Sequence, residues 1–196
     1  METFLKKYGY KILAGLFIFG AISYYYMNQK NEVERTEKLL LYITTIECSS
    51  VPINDLDHAI SMIQSTIYDS SKFENGVLKS KDSIDLRFKL DQDLENIQQV
   101  KFKVERLVEI DKETNLRQRA IHQIERCEEF ITHLAYAVLA DLSNDTTVHK
   151  DPMEMLNQER DVIVRIMSSF IKVLDTWKEQ NKISDLEPKG FQHPCR

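Results

Sequence analysis

Two arginine and histidine pairs stand at spacings that could do acid–base chemistry on a phosphate. In Arg117-Gln-Arg-Ala-Ile-His122 a guanidinium precedes an imidazole by five residues, and Arg126 precedes His133 by seven. A guanidinium offers paired N–H donors to a phosphate, and an imidazole titrates near neutrality, so such a pair could hold a phosphodiester and move a proton. On the same stretch His122, Glu125, Glu129 and His133 recur at steps of three and four. That spacing puts them on one helix face, where imidazole and carboxylate could in principle ligate a metal.

These spacings are similar to the Arg-x(4–6)-His element of HEPN-type helical ribonucleases. The resemblance covers one motif on one helix, and it implies RNA cleavage with Arg117 holding the scissile phosphate and His122 assisting proton transfer at ribose oxygens. Charge argues the other way. The chain holds 26 basic and 31 acidic residues. Residues 1–29 contain Lys6, Lys7 and Lys11 against Glu2, so residues 30–196 carry 23 basic against 30 acidic. An acidic body is a poor platform for a phosphate backbone, whose binding rests on Lys and Arg displacing counterions, so no nucleic acid is expected as a partner. A di-iron bundle needs paired Glu-x-x-His motifs on facing helices. Asp55-Leu-Asp-His58 approaches one such motif, singly and with aspartate, and reads as a polar helix start. Gly-rich phosphate loops, GxSxG and HExxH do not occur in the sequence. The expectation is a chain without catalytic activity, metal or cofactor, with Arg117 and His122 as the alternative catalytic pair.

The elements that would position these residues are helical. With 42% apolar and 29% charged residues but only 5 Gly and 4 Pro in 196, there is enough apolar surface for a core and little turn punctuation. Val33, Leu40, Ile43 and Ile46 recur at helical spacing, and Pro52 closes that segment. Asn54 then caps a helix with the stripe Ile53, Leu56, Ile60, Ile63, Ile67. Residues 69–82, with Asn75-Gly76, read as a loop. The stripe Leu86, Leu90, Leu94, Ile97, Val104 predicts a long helix, and Leu116, Ile121, Ile124, Cys127, Ile131, Leu134, Val138, Leu142 a second. Five polar residues from Asp111 to Asn115 break the stripe and favour a hairpin over one continuous helix. Asp151-Pro152-Met153-Glu154 is a capped helix start, leading to a stripe that ends near Trp177 and Lys182. Cys48 and Cys127 read as core thiols and Cys195 as a tail thiol, with one cysteine pair in an oxidising compartment as the alternative.

At the start of the chain, residues 12–27 carry no charge. Ile12, Leu13, Leu16, Phe17, Ile18, Phe19 and Ile22 are expected to span a bilayer, with Tyr8, Tyr10, Tyr24, Tyr25 and Tyr26 as interfacial belts. A signal peptide cleaved after Ser23 is the competing reading. The predicted fold is thus all-α: an N-terminal single transmembrane helix followed by an antiparallel bundle of four to five helices. The domains expected are a signal anchor over 1–29, a bundle over 30–182 and a loose tail over 183–196. The expected localisation is a single-pass membrane protein, N-terminus cytoplasmic and body outside. The expected role is a membrane-anchored protein-interaction module: a scaffold, an inhibitor or immunity-type factor, or a subunit of an envelope complex. Its partners would be the lipid bilayer, through residues 8–27, and another protein, and homo-oligomers are compatible with the pattern.

Overall fold

The computed structural model describes the backbone of residues 2–110, 114–144 and 152–183, with side chains described except for residues 2–18, 21 and 22. It is an all-α helical bundle with one small β-hairpin. The chain divides into two compact units, Met1–Leu41 and Tyr42–Arg196.

The first unit is built on helix α1, Glu2–Glu47, whose last turns belong to the second unit. Phe19, Tyr24, Tyr25, Tyr26 and Met27 are exposed on it. Among the described residues no helix is long and apolar enough to cross a membrane. This overturns the expected transmembrane helix and the single-pass localisation with the body outside. The physical reason lies in length and polarity. The uncharged run over 12–27 would rise about 24 Å as a helix, against about 30 Å of hydrocarbon. It contains three consecutive tyrosines, and α1 then continues through Lys30, Glu32, Glu34, Arg35, Glu37 and Lys38. The side chains of Tyr8, Tyr10, Ile12, Leu13, Leu16, Phe17, Ile18 and Ile22 lie outside the described ones.

The second unit begins where α1 becomes buried on all sides, at Tyr42, Ile43, Thr44, Thr45 and Ile46. A short 3-10 turn, Cys48–Ser50, leads into α2, Pro52–Ile67. Pro52 opens this helix, whereas the sequence pattern suggested that it closed the one before and that Asn54 was the cap. A proline at the first helical position loses no hydrogen bond and already has the helical φ. Helix α2 buries Leu56, Ala59, Ile60 and Ile63.

Residues 69–82 contain more structure than a loop. Strands β1, Phe73–Glu74, and β2, Val77–Leu78, pair antiparallel with Phe73 opposite Leu78. The turn between them needs positive φ at both central residues, and Asn75 at 53° with Gly76 at 84° meets that need.

Helix α3, Ser80–Glu105, and helix α4, Leu116–Glu129, form the expected hairpin. Helix α4 runs on through a π-helical turn, Phe130–Ala135, into α5, Tyr136–Ser143. The partners descend this strip as they climb α3: Ser83 with Ser143, Asp91 with Tyr136, Gln98 with Glu128, Lys101 with Glu125. That order makes the pair antiparallel. Helix α6, Pro152–Gln180, starts at the predicted proline and buries Leu156, Ile163, Met167, Phe170, Leu174 and Trp177. Asp151 and the tail from residue 184 lie outside the described residues.

Replacing Gly76 by Ala puts a Cβ at φ 84° and is expected to lower stability by about 1 kcal/mol. Urea unfolding measures this as a lower midpoint at unchanged slope. A midpoint equal to that of the parent would contradict the turn geometry.

Candidate functional site

Polar side chains gather at several places along the bundle, and the first is the seam between α2 and α3. Helix α3 buries Leu86, Leu90, Asp93, Ile97, Val100 and Val104, so a carboxylate occupies a core position. Sequence spacing had placed Leu94 in that stripe. The structure instead makes Leu94 half-buried and turns Asp93 inward. An isolated buried carboxylate costs several kcal/mol, so it must find a donor. His58 on α2 supplies one: its Nδ1 lies 2.9 and 3.0 Å from the two carboxylate oxygens of Asp93. One turn away Asn96 Nδ2 donates to Asp55 Oδ1 at 3.2 Å. Burial pushes the Asp93 carboxyl above the ordinary aspartate range, and the hydrogen bond and charge of His58 oppose that shift. Asp55 is raised as well, first by burial, with its Asn96 bond pulling the other way. The signal that could have found this pair was a charged residue at a core position of a regular stripe, with a histidine on the preceding helix.

Cys127 on α4 lies in the core and is free. Burial, with the negative charge of Asp55 adding to it, pushes its thiol up to about 12, so it stays protonated and unreactive near neutrality. Cys48 departs from the expected core thiol: it is disulfide-bonded. Cys195 lies outside the described residues.

The second place is the end of α3. Arg117 Nη1 donates to the carbonyls of Glu105 and Leu107, at 3.3 and 2.9 Å, and its Nε lies 3.9 Å from Glu109 Oε2. The Glu105 carbonyl belongs to the last turn of α3, where carbonyls lack a partner within the helix, and that of Leu107 lies just beyond it, so the guanidinium caps the end of α3. Glu109 in turn accepts a hydrogen bond from the Tyr42 hydroxyl. His122 is exposed further along α4, and no contact joins it to the Arg117 guanidinium.

The third place is a cleft of about 370 Å³ between the π turn and α6, and it does bring the other predicted pair together. Arg126, Glu129 and His133 line it from one side and Glu159 from the other, over Phe130 and Met155. Arg126 is shared between Glu129 at 3.4 Å and Glu159 at 3.7 Å. A π turn spends an extra residue per turn, and here the Thr132 hydroxyl donates to the carbonyls of Glu128 and Glu129. Among the described residues no group of three or more His, Cys, Asp or Glu side chains is placed to hold a metal ion. That includes the face of His122, Glu125, Glu129 and His133.

A wider cleft, about 560 Å³, runs between α3 and α5. In it the Tyr136 hydroxyl donates to Asp91, and Ser83 and Ser143 share a hydrogen bond of 2.9 Å. The Tyr136 phenol is pushed up to about 12, mainly by burial and then by the Asp91 bond and charge, with Arg87 pulling it down. No protein-family model, curated protein or solved structure matches the chain.

The raised carboxyl of Asp93 fixes the sign of a pH effect. When an acid is harder to ionise in the folded state, the folded chain holds the proton over a range where the unfolded chain has lost it. The stability contribution is present below the unfolded value and is lost as pH rises through the folded one. Asp93→Asn removes that ionisation while its side-chain oxygen can still accept from His58. It is expected to flatten the decline in stability from about pH 4 upward, read as urea midpoints across the range. An unchanged slope would show that Asp93 does not ionise differently on folding.

Proposed function

We propose that the chain is a helical interaction module that acts by binding another protein, as a scaffold, inhibitor or complex subunit. The observation that carries this is the surface at the C-terminal end of α3. Phe102, Val108 and Ile110 are 53%, 80% and 46% exposed within nine positions of one another. The Arg106 guanidinium lies 4.0 Å over the Phe102 ring. Aromatic residues and arginine are the side chains that concentrate in protein interfaces and supply most of their energy, because each covers apolar area and still offers a polar edge. The excess of acidic residues over 30–196 favours a partner with a basic rim, which would speed encounter more than it tightens the complex.

The Phe102→Ser, Val108→Ser double variant touches exposed side chains, so its stability should stay within about 1 kcal/mol of the parent. Its association should weaken at least tenfold. The partner is found by placing a photo-crosslinking amino acid at position 108 in living cells, with position 103 as the control. A specific adduct at 108 that disappears on Phe102→Ser supports the reading. Equal labelling at both positions, or an association that the double variant leaves intact, overturns it.

A further inference from the structure

The N-terminal half of α3 carries an exposed face of its own. Ile84, Arg87, Phe88 and Asp91 follow one another at steps of three, one and three, so they share a side of the helix. Ile84 and Phe88, one turn apart, are 67% and 69% exposed, while Leu86 and Leu90 turn into the core. Beside them lies the α3–α5 cleft, with Leu94, Leu139 and Ala140 along it. The apolar side chains therefore stand next to a trough whose apolar lining could receive a matching pair.

Charge decides what matches. Arg87 and Asp91 read plus then minus along the helix, one turn apart. An identical helix laid alongside in the opposite direction reads minus then plus, so both charges meet their opposites at once. Laid parallel and in register, like charges would face each other. A face with this property is self-complementary, which is the condition for a contact across a two-fold axis. Among the described residues Arg87 makes no ion pair, and Asp91 accepts the Tyr136 hydroxyl at Oδ1.

We infer that two copies of the chain pair through α3, antiparallel about a two-fold axis near Phe88, with Arg87 of each copy facing Asp91 of the other and Ile84 seated toward the opposing Leu94. This contact lies at the other end of α3 from the partner surface proposed above and does not depend on it.

The test is sedimentation velocity on the purified full chain, with helical circular dichroism and thermal melting to confirm that each variant is folded. The parent is expected to be a dimer. Arg87→Asp and Asp91→Arg, each alone, put like charges across the axis and should weaken the dimer at least tenfold. An equimolar mixture of these two variants restores opposite charges at both positions, as does the double variant R87D/D91R. Both should recover dimer. Tyr136→Phe removes the hydroxyl bond to Asp91 without altering charge and should remain dimeric, which separates the charge effect from local disturbance of the cleft. A monomeric parent overturns the inference. So does a dimer that survives both single reversals, or one that the mixture fails to restore.

Discussion

The inward seam of α3 is the constraint on which the body depends. Its buried positions advance by steps of four and three, so they keep one line along the helix. Helices α2, α4 and α5 all pack on α3. The seam also contains Asp93, and that makes the packing specific as well as apolar. A greasy seam alone would let α2 slide by a turn at modest cost. With Asp93 in place, any slip carries His58 away and leaves a buried carboxylate with no donor. The bond between Asn96 and Asp55 fixes the same register a turn further on.

Regular amphipathic periodicity was legible at the level of elements. The break between α3 and α4, the proline start of α6 and the helical path from Leu116 toward Ser143 all follow from stripe and cap signals. What periodicity does not resolve is which of two adjacent residues faces inward when one is charged. Leu94 is the more apolar candidate, yet the helix must satisfy every other seam position at once, and that rotation brings Asp93 in. The same competition puts Ala120 in the core and leaves Ile121 half-buried. The π turn was illegible for another reason: it has no composition of its own, and Phe130 to Ala135 would suit an α-helix equally well.

The candidate chemistry was legible in type and less so in arrangement. Arg117 and His122 are close in sequence, but a helix turns about 100° per residue, and the free carbonyls at the end of α3 take the guanidinium. Arg126 and His133 sit seven residues apart, about two helical turns, so they fall on one side of the chain and line one cleft. At the other end of the chain, an uncharged run suggested a bilayer span. The uncharged run is short for a span by itself, and three tyrosines followed by a charged continuation of the same helix make α1 too polar to serve as one.

The buried thiol of Cys127 turns the bundle into its own timepiece. The Cys127 side chain on α4 is fully screened from solvent, and burial holds its thiol in the unreactive protonated form. An alkylating agent in the surrounding solution therefore waits until α4 parts from the seam. Each molecule modified at Cys127 is the record of one such opening, and the pace of that modification at rising denaturant sorts small local breathing from loss of the whole core. The native chain carries this clock at the centre of its packing, without any engineered probe.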